Sequence, residues 1–147
     1  MIVDDHHALI VVLAADFGEA SRTPPIYLDA RVPTTMHLRL VSGLFKPGTG
    51  RLTRLLQAAQ PDPELRQSVI DRIAAPRRGL RVLDDRPLAA AIGALTAEPG
   101  VSIAFAALIA HARAAAQPIL IVPDNRARWV EVAEAHGVQF VVHPIDI

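Results

Sequence analysis

An aliphatic run that never alternates with polar residues dominates the end of the chain. PILIV at 118–122 gives way to Pro123, Asp124 and Asn125, then to RARWVEVAEAHG, and then to a second run, VQFVV, at 138–142. A strand with one wet face alternates apolar and polar side chains, so an unbroken run marks a strand covered on both faces. Between the two runs, residues 125–136 have helical spacing, with Asp124 placed as an N-cap and Gly137 as a C-cap glycine. Strand, helix, strand in so short a span is a β-α-β unit, a parallel pair joined by a right-handed crossover. The class that follows is α/β, a mainly parallel central sheet in three layers with helices on both faces.

The rest of the chain obeys the same grammar. Two further apolar runs, 1–3 and LRVL at 80–83, have strand length. Helical spacing covers about 7–15, 34–45, 49–59, 63–74, 86–97 and 102–116. PGTG at 47–50 opens the third of these with Thr49 as N-cap. QPDPE at 60–64 separates it from the fourth, whose first turn suits Pro63 and Glu64, so the two read as an inserted helical hairpin. Residues 18–33 are proline-rich without a helical stripe and read as a loop with an extended piece at 26–28. With 147 residues, 51% of them hydrophobic, the expected organisation is a single domain over 1–147.

Charge and cysteine content remove several function classes. Fifteen basic residues balance fifteen acidic ones, so no broad face is built for duplex nucleic acid or an anionic membrane. With no cysteine, thiol catalysis, disulfide frames and zinc–thiolate sites are excluded. MIVDDHH lacks the basic start of a secretory signal and no apolar run reaches the roughly 18 residues of a bilayer span, so the expectation is a cytoplasmic protein with no membrane partner.

In a parallel sheet, ligands lie beyond the carboxyl ends of the strands. Asp4 and Asp5 follow the first strand and Asp124 follows the run at 118–122. If those strands are neighbours, Asp4 and Asp124 approach each other, and paired carboxylates with waters are the usual way to hold Mg²⁺ or Mn²⁺. An Asp at a strand-to-helix junction is equally an ordinary N-cap. Asp5-His6-His7 spells the tripeptide of a phosphoesterase family without that family's other metal motifs, and His6 and His7 read as surface and near-surface residues of the first helix. Arg51, Arg54, Arg66, Arg72, Arg77, Arg78 and Arg81 face only Asp62, Glu64 and Asp71 in the same stretch, and Arg51 and Arg54 share a helix face. Those arginines form either a phosphate-binding groove across the strand ends or solvated helix faces with paired acids.

At these residues the chain resembles PIN domains. MIVDDHHALIVVL is similar to the family's opening, a short apolar strand ending in an Asp, then a small polar pair and an aliphatic helix, with Asp4 in the Asp position. ILIVPDNRARWVEVAEAHGVQFVV is similar to the family's last β-α-β, with Asp124 after the strand, and VSIAFAALIAHARAA at 101–115 looks like the helix before it. The chain is also similar to uncharacterised actinobacterial proteins that begin with a VLDDH-type string. The PIN resemblance implies a Mg²⁺- or Mn²⁺-dependent ribonuclease, often the toxin of a toxin–antitoxin pair, with three or four clustered acids. It also implies a homodimer or an antitoxin-like protein as partner. The sequence departs from that pattern: His37 and Arg39 stand near the second acid's place, Ala104 and Ala106 near the third's, and only Asp4 and Asp124 survive. The expectation is therefore a PIN-like fold with a degraded metal site, acting as a non-catalytic binding module, in which Arg39, Arg51 and Arg54 are candidate RNA contacts. The alternative is a divergent metal-dependent ribonuclease using Asp4, Asp124 and either Asp5 or an acid from 84–85.

Overall fold

The computed structural model describes residues 1–17, 25–45, 50–123 and 127–145. Five strands form one sheet, all parallel: β1 (Ile2–Val3), β2 (Ala30–Pro33), β3 (Leu80–Leu83), β4 (Ile119–Ile121) and β5 (Phe140–Val142), in the order β3-β2-β1-β4-β5. Seven helices are described: α1 (Asp5–Phe17), α2 (Thr34–Phe45), α3 (Arg51–Ala59), α4 (Pro63–Ala74), α5 (Ala89–Thr96), α6 (Ile103–Ala115) and α7 (Arg128–Ala135). The expected α/β class holds. Asp124, Asn125 and Thr49, with the capping roles read for Asp124 and Thr49, lie outside the described residues.

Strand order and crossover hand together place the layers. The connections from β1 to β2 and from β2 to β3 run one way along the sheet, while those from β3 to β4 and from β4 to β5 run the other. Right-handed crossovers therefore put the helices leaving β1 and β2 on one face and α5, α6 and α7 on the other. α1 packs on α2, α3 and α4, and α6 packs on α5 and α7, while α2 also packs on α6 and so links the two layers. The direction reverses between β1 and β4, where Ile2 pairs with Ile119 and Val3 with Leu120. That is the switch point at which ligands of open parallel sheets bind, outside the carboxyl ends of the strands.

Composition explains which helices are covered. α1 and α6 are apolar around nearly their whole circumference, as helices covered on several sides must be; in α6 only Ile103, Phe105, Arg113, Ala114 and Ala115 escape full burial. α3 is amphipathic: Leu55 and Leu56 are buried while Arg51 and Arg54 face water. Asp62 caps α4, its carboxylate accepting from the Glu64 amide at 3.0 Å, and Pro63 occupies the first turn as expected.

One strand was not expected. Residues 26–28, read as an extended piece, belong instead to a 3₁₀ turn over Pro25–Tyr27 and the turn after it, and β2 lies just beyond in what was read as loop. β2 reads ARVP, and its Arg31 is half-buried beside the exposed Asp29, with its guanidinium bonded to Gln117. Charge at that position hides the strand from a hydrophobic pattern.

Gly79 shows how tightly β3 is docked. It has φ +75°, and a Cβ there would stand 2.8 Å from the Ala15 Cβ of α1. Gly79→Ala is expected to lower stability in urea by roughly 1–3 kcal/mol, the cost of a left-handed non-glycine residue plus the overlap. Gly93 in α5 has open space around it, so Gly93→Ala is expected to raise stability by about 0.5–1 kcal/mol in the same experiment.

Candidate functional site

Asp4 ends β1 and caps α1. Its backbone carbonyl accepts from the Ala8 amide at 2.9 Å, and its Oδ1 accepts from the His7 amide at 2.9 Å, the geometry of an N-cap bonding the third helical residue. The His7 ring turns back on the same oxygen, with Nδ1 at 3.0 Å, while its Nε2 lies 3.0 Å from the His143 carbonyl beyond β5. A carbonyl only accepts, so Nε2 carries a hydrogen. The same Asp4 oxygen is thus shared by the His7 amide and the His7 ring. His7 has no solvent exposure at all, which corrects the expectation of a near-surface residue. Tyr27 and His143 pack against it at ring separations near 6 Å. Burial first, and then the Asp4 carboxylate, push the Tyr27 hydroxyl up to about 12.

Asp5 is the first residue of α1 and is also buried. Its Oδ1 accepts from the His6 amide at 2.9 Å and lies 2.7 Å from His6 Nδ1; its Oδ2 accepts from Arg39 Nε at 3.2 Å. Burial alone would raise this carboxyl, but the His6 hydrogen bond and the charges of His6 and Arg39 outweigh it, leaving Asp5 below its ordinary value. The Arg39 guanidinium, reaching in from α2, lies 4.7 Å from the centre of the Phe105 ring on α6. Phe105 in turn stacks on Trp129 of α7, centroids 4.5 Å apart and planes within 17°.

These groups line one cleft. Asp4, Asp5, His6, Arg39, Arg51, Phe105 and Val122 surround a cavity of about 220 Å³ outside the carboxyl ends of β1 and β4. Asp4 and Asp5 share the cleft although they are adjacent, because Asp4 still belongs to the extended strand end. Arg54, one turn along α3, is exposed and does not line it. Ala104 and Ala106 are buried in α6, and His37 is tied to the Ile73 carbonyl at 2.8 Å.

The acids at 84–85 lie on the same edge of the sheet but beyond β3, two strands from β1 and so about 10 Å away. Asp84 is exposed and grips Arg86. Asp85 fastens the start of α2, accepting from the Thr35 amide at 2.8 Å and its hydroxyl at 2.5 Å, and lies 2.7 Å from His111 Nε2. Neither joins Asp4. The basic stretch also divides: Arg77, Arg78 and Arg81 surround a separate hollow with Asp29, below the amino ends of β2 and β3, and Arg72 and Arg78 pair with Asp16.

Asp4, Asp5 and His6 bring ligand atoms within 4.8 Å of one another. As a donor set for Mg²⁺ or Mn²⁺ they fit poorly. Both Asp5 oxygens hold hydrogen bonds, one of them from a guanidinium, and Asp4 Oδ1 is occupied by the start of α1. With the Arg39 guanidinium on Asp5 and the His7 amide and ring on Asp4 Oδ1, the described residues leave a hard dication few free carboxylate lone pairs and a cation beside them. His6 Nε2 is buried without a partner.

Sequence reading missed His7, Phe105 and Trp129 as parts of this edge. His7 carried a signal, since a side chain three residues after an N-cap is placed to fold back on it; Phe105 and Trp129 are indistinguishable in sequence from ordinary core aromatics. No protein-family model matches the chain, and no curated protein matches it. Fold and site therefore define the class directly: an all-parallel five-stranded α/β protein with a small cleft of charged residues and one aromatic ring at its switch point.

Two outcomes follow. Asp4→Ala is expected to cost about 0.5–2 kcal/mol in urea unfolding, and Asp4→Ser, which keeps a capping oxygen, to recover most of it. Because Asp5 is depressed in the folded state, its contribution to stability is complete above the ordinary value of 3.8 and is lost as pH falls through the lower folded value. The stability gap between the native chain and Asp5→Asn is thus expected to be wide near neutrality and to close on acidification below 3.8.

Proposed function

We propose that the chain is a PIN-like binding module that holds single-stranded RNA at its switch-point cleft without cutting it. The observation that carries this reading is the Arg39 guanidinium fixed between Asp5 and Phe105, at the place where the related nucleases keep an acid. A cation there repels a metal and suits a nucleic acid. Arg51, exposed at the start of α3 on the cleft's rim, supplies a phosphate contact. A small cleft with one basic rim agrees with a chain of zero net charge, since contact with one or two nucleotides needs no basic face.

The test is fluorescence anisotropy with a short labelled RNA, with and without millimolar Mn²⁺, followed by electrophoresis of the same RNA. Expected are metal-independent binding, intact RNA, and a salt dependence that flattens by about 0.7 in log–log slope in Arg51→Ala, the loss of one phosphate contact to a single strand. Mn²⁺-dependent cleavage abolished by Asp4→Ala would overturn this reading in favour of a divergent metal-dependent ribonuclease, with His6 Nε2 as the spare ligand atom.

A further inference from the structure

We propose that Arg39 is a stacking shelf for one nucleobase, and that Asp5 beside it selects bases carrying an exocyclic amino group over uracil. This rests on the RNA reading above and names what the cleft recognises.

The shelf is built from the core outward. Trp129 is buried, with Phe140 edge-on at 5.6 Å on one side and Phe105 stacked on it at 4.5 Å. Phe105 therefore cannot retreat, and Arg39 sits over it at 4.7 Å. The bond from Nε to Asp5 Oδ2 fixes the rotation of the guanidinium. The guanidinium is thus held by an aromatic ring beneath it and a carboxylate beside it, while 48% of the Arg39 side chain stays exposed toward a ligand. Arginine planes of this kind stack unpaired bases of single-stranded RNA.

The wall beside the shelf sets the preference. Asp5 Oδ1 is filled by the two His6 contacts, while Oδ2 accepts a single bond, from Arg39, and keeps a lone pair. An ionised carboxylate only accepts, so it takes the amino N–H at N4 of cytosine, N6 of adenine or N2 of guanine, and it opposes uracil where that base presents its O4 carbonyl. Desolvation by the surrounding cleft keeps that choice sharp, because an unmatched polar group there loses its water without replacement. A volume of about 220 Å³ is below the roughly 300 Å³ at which drug-sized ligand pockets begin, and suits one base.

Trp129 is the chain's single tryptophan and backs the shelf, so its emission reports occupancy directly. The experiment titrates the full chain with short oligocytidylate and oligouridylate, following Trp129 emission and, in parallel, anisotropy of labelled RNA. Expected are a change in Trp129 emission on binding and about tenfold tighter binding of oligocytidylate. Arg39→Lys, which keeps the charge and removes the plane, is expected to lose about tenfold in affinity for oligocytidylate. Asp5→Asn, whose amide gains a donor, is expected to narrow the preference. Arg51→Ala is expected to weaken both oligomers equally. Circular dichroism of each variant checks that it is folded. Equal binding of the two oligomers, or Arg39→Lys binding as tightly as the native chain, would overturn the shelf while leaving the RNA reading in place. No binding of either oligomer overturns both.

Discussion

The carboxyl edge of the sheet hangs on a single carboxylate. Asp4 terminates β1, starts α1, and through the His7 ring reaches the His143 carbonyl beyond β5. β1 is only two residues long yet has a parallel neighbour on each side, so little of its own ladder fixes where it ends. The cap does so instead. Because both nitrogens of a fully buried imidazole face oxygens, removing either partner strands a buried polar group. The positions of Asp5 and His6, the first two residues of α1, follow from that anchor.

Acidic side chains here act mostly as internal fasteners. Asp5 holds Arg39, Asp16 holds Arg72 and Arg78, Asp85 joins the start of α2 to His111, and Asp62 caps α4. Local pairing of this kind leaves no concentrated acidic field among the described residues. This matters for the cleft, where the attraction of two aspartates for a dication is opposed at short range by a guanidinium and by hydrogen bonds that already occupy their oxygens. The same pairing raises the value of Arg39 as a surface, since its charge is largely answered by Asp5 while its plane stays available.

Long, strongly patterned segments were legible from the amino acids alone. The β-α-β at the end of the chain could be read because ILIV is apolar without interruption, FVV follows it, and Gly137, at φ +78°, closes the helix between them, although β5, read as a buried run, is only half-buried and exposed at Val142. β2 could not, because Arg31 interrupts its four residues and prolines precede it; its existence is a tertiary fact, imposed by the four-residue register it shares with β3. The site divides in the same way. Asp4 and Asp5 could be found as acids after a strand, and Arg39 was singled out only through the resemblance to PIN domains, near the place where that pattern has an acid. That His7 is buried, that Asp85 is already engaged two strands away, and that Arg39 lies over Phe105 are consequences of helix packing that spacing along the chain does not encode.

The stack from Phe140 through Trp129 and Phe105 to Arg39 joins that last fact to function. Its members come from β5, α7, α6 and α2, so it runs from the sheet through the helices of one face to a helix of the other and ends at the cleft. A ligand resting on Arg39 presses on a column whose far end is the core, where close packing allows little give. Such a surface is rigid before anything binds. Rigidity lowers the ordering cost of association, and that is what the proposed grip on one base of a flexible strand would demand of a cleft this small on a chain without excess positive charge.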